Sequence, residues 1–327
     1  MYLSFQNIIK GAILIFILLL PLLFENNYYY HVIILIYFNI IFCSGLYLIM
    51  STGLLSLAQA AFMGIGAYTS ALLVLRLGVP FIAGVFAAGF AAALLSIFVG
   101  YIVLRLKGVF FALVTFSLNE FIRLIFVSWV SLFGGVSGIM NIPPPQFSVP
   151  FTRVSVVLDT KRSFYCLLTI VTMLVLVVVY QVMKSEFGRV FKSIRDSELL
   201  AESTGINITL YRLLAFSMAA LFSGIGGSLY AHYLGYIGPQ YFSVWNSFDF
   251  VVFTVVGGLG HVIGPVVGCI VLTPIPEFLR GLKELHLILY GVILIFFMLF
   301  APKGLVFVGK AIGGKWASAW EKWRQKK

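Results

Sequence analysis

The sequence predicts an all-α integral membrane protein, a polytopic bundle of helices, and three observations carry that reading. Of its 327 residues, 61% are hydrophobic and 10% charged; the mean hydropathy is +1.06, far more apolar than a soluble domain. Apolar stretches near the roughly 20 residues needed to cross the hydrocarbon layer follow one another with short connections. Basic residues concentrate in Lys184 to Arg212 and in Lys303 to Lys327, the distribution of cytoplasmic loops under the positive-inside rule. A single transmembrane domain over 1–327 follows, with an outer loop about 130–162, a cytoplasmic loop about 184–212 and a cytoplasmic basic tail about 302–327.

Several function classes drop out on composition. A net charge of +11 would raise nucleic acid as a partner only if it formed a soluble basic face with interleaved aromatics, and here it is confined to loops between apolar spans. Cys43, Cys166 and Cys269 sit singly in apolar stretches and read as small hydrophobes. His31, His232, His261 and His286 are scattered, so no metal-ligand spacing is visible. Lys10 followed by Gly11 to Phe24 is short enough for a secretory signal, yet no small-x-small cleavage site follows. Glu25, Asn26, Asn27 and three tyrosines come next, which favours a retained first span with an aromatic belt at its outer end.

The remaining expected spans are Val32 to Met50, Leu54 to Leu75, Phe81 to Leu104, Val109 to Trp129, Phe164 to Met183, Leu213 to Leu234 and Leu285 to Ala301. Between the last two, Phe248 to Leu259 and Val262 to Leu279 form either two tilted spans or a re-entrant hairpin. Threading these with Lys10 inside leaves fifteen of the 22 basic residues inside, so both termini are expected to be cytoplasmic. The outer loop contains Gly134, Gly135, Gly138 and the triplet Pro143, Pro144, Pro145, which stiffens the chain as polyproline II and offers an ordered surface for a delivery protein.

Four motifs carry chemistry. Leu54 to Leu73 is rich in Gly and Ala, which let helices approach closely; packing explains those but explains Gln59 and Tyr68 less well. Glu120 and Arg123 share a helix face at i and i+3; they are either a structural ion pair or, as intramembrane charges, part of a path. Gly257, Gly258, Gly260 and Pro265 break a helix, which at membrane depth is tolerated inside protein or beside a watery cavity, with Asp249 placed at its outer entrance. The loop EFGRVFKSIRDSELLAESTGINITLYR predicts a short helix over Ser197 to Thr204, capped by Ser197 or Asp196 and stopped by Gly205. That helix either docks on a partner or belongs to an ordinary basic loop. Gly309, Gly314 and Lys315 fit a phosphate-loop spacing, but Trp316 stands where Ser or Thr must reach the metal; the chain is read as carrying no nucleotide site.

Taken together, GLLSLAQAAFMGIGAYTSALL from Gly53, VTFSLNEFIRL from Val114, FGGVSGI from Phe133, the stretch from Gly188 to Ala231, VVGGLGHVIGPVVG with PEFLR up to Arg280, and LYGVILIFFMLFAPKGL from Leu289 resemble the LivM and LivH family of permeases from importers of branched-chain amino acids, and LivM more closely. The resemblance implies about ten spans in two pseudo-symmetric halves of the ATP-binding-cassette (ABC) importer permease type, in a bacterial inner membrane. It implies a second LivH-like permease, two cytoplasmic ATPase subunits and a periplasmic or lipid-anchored substrate-binding protein as partners. No cofactor is expected in this chain, ATP being bound by the partner subunits, and no covalent chemistry. The ATPase-coupling role maps to Arg195, Asp196, Ser197, Glu198, Leu199, Leu200, Ala201, Glu202 and Gly205. Candidates for the translocation path are Gln59, Tyr68, Thr115, Glu120, Asp249, Gly257 and Gly258. Ala58 and Asn119 depart from the family's usual residues, which opens substrate identity, since urea and amide permeases share the scaffold. An ion-coupled secondary transporter would need deep titratable groups, for which only Glu120 and Asp249 stand.

Overall fold

The computed structural model describes residues 27–148, 155–279, 285–300 and 304–307. The expected first span Gly11 to Phe24 with Lys10, the basic tail apart from 304–307, the Gly309 to Lys315 spacing, and Arg153, Arg280 and Lys283 lie outside the described residues.

Helices dominate because long apolar stretches in lipid must satisfy their backbone groups internally. In order they are α1 (Asn27–Met50), α2 (Gln59–Leu77), α3 (Phe81–Val103), α4 (Gly108–Ser128), the single turn α5 (Val130–Phe133), α6 (Lys161–Lys184), α7 (Glu186–Asp196), α8 (Glu198–Ser203), α9 (Ile208–Leu234), α10 (Val244–Gly257), α11 (Gly264–Leu272), α12 (Pro274–Leu279) and α13 (Leu285–Phe300). Strands β1 (Gln146–Ser148) and β2 (Ser155–Val157) form a small antiparallel ribbon in the expected outer loop. Among the described residues, α1, α2, α3, α4, α6 and α9 are long and apolar enough to cross a membrane.

Helix α9 is the centre, packed on α3, α2 and α1, with α6 outside α1 and α10 paired with α11. Small residues permit this. A Cβ at Gly66 would overlap the backbone of Gly224, and one at Gly227 would overlap the Met63 carbonyl, so these helices touch backbone to backbone.

Contacts between loops define two ends. At the basic end, the Lys107 ammonium pairs with Glu198 at 2.7 Å, and Gly53 lies against the Arg195 backbone. At the opposite end, Arg76 donates to the carbonyls of Ser131 and Leu132, and Ile139 bridges Ile237.

One expectation needs correction. The stretch Leu54 to Leu75 is not one continuous span: the helix starts at Gln59, and Leu54 to Ala58 are non-helical. Gln59 Nε2 donates to the carbonyl of Phe42, eight positions before the end of α1 at Met50; at 1.5 Å per residue α2 therefore begins about 12 Å inside the basic end. The depth of the Gly257–Gly258 turn follows from the packing of α10 on α1. Cys43 of α1 donates to the carbonyl of Phe250, and seven residues further along each helix lie Met50 and Gly257, so the turn sits at the basic end.

Candidate functional site

The first arrangement is the α7–α8 loop. Helix α7 buries Gly188, Phe191 and Ile194 and leaves Arg189, Lys192 and Arg195 exposed, the spacing of an amphipathic surface helix. Ser197 caps α8, its hydroxyl accepting from the Leu200 amide, and Gly205 takes φ +83°, the left-handed stop that glycine adopts without strain. Glu198 fixes the unit: it accepts from Arg212 of α9, whose side chain is 3% exposed, and from Lys107 at the start of α4. Ala201 faces inward, while Leu199 and Leu200 are 78% and 67% exposed. Arg195 and Asp196 pair at 3.6 Å, and Glu202 is exposed. The expected helix is therefore present but shorter, and it follows a second helix that local capping signals did not show.

Burial works against the Glu198 charge, but hydrogen bonds from Arg212 and Lys107 outweigh it and hold the carboxyl below its ordinary value of 4.5. A carboxylate with a lowered value stabilises the docked loop fully above that ordinary value, and the contribution disappears as pH falls through the lowered one. Limited proteolysis around residues 197–205 is thus expected to be unchanged from neutral pH down to about 5 and to accelerate as the pH falls below the ordinary carboxylate value.

The second arrangement surrounds the start of α2. Ala58 offers no capping side chain, so the orphan amides of the first turn take partners from distant helices. Leu57 N–H donates to Thr115 (3.1 Å), Ala60 N–H to Ser247 (2.9 Å) and Ala61 N–H to the Asn119 carbonyl oxygen (2.8 Å). Asn119 also donates to the Phe242 carbonyl and accepts from Ser247. Gln59 donates to the carbonyls of Phe42 and Ala219 and to Ser223. This clasp ties α1, α2, α4, α9 and α10 together about 12 Å inside the basic end.

The path candidates do not converge on one cavity. Gln59 and Thr115 join the clasp, fully buried. Tyr68 lies in an aromatic cage, 4.4 Å from the Phe126 ring and 5.1 Å from that of Phe133. Glu120 accepts from Arg123 at 2.6 Å on a half-buried face of α4. Asp249 lines a separate cavity walled mainly by α1, α10 and α12, with Met63, Tyr230 and Tyr241 contributing. Asn119 and Ser247 were not named as site residues; the signal for Asn119 was its i+4 spacing from Thr115 on one face of an apolar helix.

At the α10–α11 turn, a Cβ on Gly257 would overlap the Gly264 carbonyl, one on Gly268 would overlap that of Phe253, and one on Gly304 would meet Gly258, whereas Gly260 faces open space. Gly258 has φ +112°, a region disfavoured for L side chains. Gly257→Ala is expected to forfeit the close approach of α10 and α11 and cost about 2 kcal/mol of stability, read as lowered thermal unfolding in detergent, while Gly260→Ala leaves it unchanged.

Six long apolar helices around a polar clasp define a multi-pass membrane protein. The chain belongs to the family described as the branched-chain amino acid transport system permease component, which matches residues 28–298. It is similar to two curated proteins named high-affinity branched-chain amino acid transport system permease protein LivM, from Salmonella typhimurium and Escherichia coli, each 29% identical over 272 residues, 78% of this chain. The match spans 64% of the length of those relatives. No solved structure matches the chain.

Proposed function

We infer that the chain is the transmembrane permease subunit of an ABC importer that moves branched-chain amino acids across the bacterial inner membrane, driven by separate ATPase subunits. The observation that carries this reading is the family match across 28–298, which spans every element described above except the first residue of α1, the end of α13 and the turn after it. On this reading the two exposed leucines of α8 meet an ATPase on the cytoplasmic side, and the basic end is cytoplasmic. Helices α1 to α4, α6, α9, the α10–α12 unit and α13, with the first expected span, make about ten crossings in two related halves, with both termini inside. ATP is bound by the partners, and a periplasmic or lipid-anchored binding protein delivers substrate at the opposite end. Glu120, Tyr68 and Asp249 remain the path residues of this proposal, with Gln59 and Thr115 acting through the clasp and Gly257 and Gly258 through the turn.

Proteoliposomes holding this chain with the ATPases, second permease and binding protein encoded beside it should take up radiolabelled leucine only with ATP inside the vesicle compartment that faces the motor. Uptake that follows an ion gradient without ATPases would overturn the reading, and uptake of urea in preference to leucine would move it to the amide branch of the scaffold. Native mass spectrometry should show two different permease chains; a transporting homodimer would contradict the proposed stoichiometry.

A further inference from the structure

The outer loop forms a strap across the end of α9. Ile139 and Ile237 exchange backbone hydrogen bonds of 2.8 and 3.0 Å, and the Ile142 N–H donates to the Gly235 carbonyl at 3.0 Å. Gly138 lets the two segments meet, since a Cβ there would overlap the Ile237 carbonyl. Pro143, Pro144 and Pro145 follow, and none has an N–H to donate. Here the strap is fastened through a carbonyl: that of Pro143 lies 2.7 Å from Nδ1 of His232. His232 stands in the last turn of α9 and is 3% exposed. The Phe81 ring of α3 meets it edge-on at 4.8 Å, and its Nε2 lies 3.0 Å from the Ser70 hydroxyl of α2. A carbonyl only accepts, so Nδ1 carries a proton and Nε2 completes the bond to Ser70. The next residue, Pro144, shares with His232, Asp159, Thr160, Phe164 and Tyr233 the wall of a cavity of about 360 Å³, so the fastened carbonyl also fixes one side of that cavity.

We propose that His232 is a positioning residue that latches this strap, residues 134–143, through Nδ1, and that the latched strap sets the entry of substrate from the outer side. The second half rests on the permease reading above, whereas the latch stands on the hydrogen bonds alone. The strap is built to move as a unit. Gly134, Gly135, Gly138 and Asn141 all take positive φ, so its path is held by partners and not by a helix or sheet. Val136 and Met140 are exposed, and a segment with few buried apolar contacts opens at lower cost than the helices beneath it. His232 is the opposite case, walled by α2 and α3 on a long helix. A rigid donor facing a loosely packed loop is the geometry of a latch, and breaking that one bond frees the proline end of the strap while Ser70 still holds the ring.

The test separates the two hydrogen bonds of one ring. Asparagine places an amide nitrogen where histidine carries Nδ1, and glutamine places one where it carries Nε2. His232→Asn therefore keeps the bond to Pro143, and His232→Gln keeps only the bond to Ser70. In the full chain in lipid nanodiscs, amide hydrogen exchange over residues 138–142 should be about tenfold faster in His232→Gln and unchanged in His232→Asn and Ser70→Ala. In the assembled transporter, His232→Gln should raise the half-saturating concentration of substrate-loaded binding protein about fivefold and leave maximal uptake unchanged, while His232→Asn matches the wild type. If His232→Gln loses its unfolding transition, Gly138→Ala, which pushes the strap from Ile237 without touching His232, should produce both effects. Exchange in His232→Gln equal to the wild type, or equally fast in His232→Asn, overturns the latch. Fast exchange with an unchanged half-saturating concentration overturns the role in entry. No uptake by the wild-type transporter refutes the permease reading and the entry role with it, while the exchange pattern still decides the latch, so the two failures are distinguishable.

Discussion

Replacing Glu198 by alanine is expected to lower ATP-driven leucine uptake about tenfold and to make residues 197–205 sensitive to protease at neutral pH. The carboxylate is the shared acceptor of Arg212 and Lys107, and its loss leaves a guanidinium that is 3% exposed without its counter-charge. Removing one partner of a buried pair costs more than the pair contributes, up to about 3–5 kcal/mol; the partial exposure of Glu198 puts the expected value nearer 2 kcal/mol. Glu198→Gln keeps one acceptor oxygen and should fall between. On the proposed reading the consequence is mechanical: α8 stays helical but is no longer held to α4 and α9, so motion of a docked ATPase is not passed to the spans. The contrast is Glu186→Ala. Glu186 and Arg189 pair on the exposed surface of α7, and such pairs contribute about 0–1 kcal/mol, so uptake should be unchanged.

Asn119→Leu is expected to have the largest effect on stability. The substitution is close in volume but leaves the Ala61 N–H and the Phe242 carbonyl without their partner, in surroundings where water does not replace it. Each orphaned group costs about 1–3 kcal/mol, so a total of about 2–6 kcal/mol and a sharply lowered unfolding temperature in detergent should follow. Ser117→Ala on the same helix is the control. Ser117 is exposed and bonds only to the Leu113 carbonyl of its own turn, so its loss should leave unfolding within about 0.5 kcal/mol.

The contrast between these two residues marks what the amino-acid order discloses. The α8 helix was legible because its determinants are local: Ser197 before it, Gly205 after it, and Glu198 in the first turn. The long spans were legible because hydropathy reports residence in lipid, and α3, α4 and α6 begin and end within a few residues of their expected limits. The start of α2 was not legible, because Leu54 to Ala58 are as apolar as any helical stretch and hydropathy does not distinguish a helix from a chain whose amides are satisfied elsewhere. Its true signal lies 58 and 187 residues downstream, at Asn119 and Ser247. The glycine pair at 257 and 258 was seen, but its depth depends on the alignment of α10 with α1, which no local pattern encodes. The Asp249 cavity likewise needs α1 and α12 brought together from distant parts of the chain.

The central claim is that this chain is a permease driven from the α7–α8 loop by a separate ATPase. Deleting Ser197 to Gly205 and closing the gap with a short Gly-Ser linker removes the exposed leucines and, with Glu198, its pairing to Lys107 and Arg212, but leaves the clasp intact; Glu198→Ala, which keeps the leucines, is the control for that lost pairing. Co-purification with the ATPase subunits should then be lost, while the deleted protein still inserts in the membrane and pairs with the second permease. Undiminished recovery of the ATPases with the deleted chain would contradict the account.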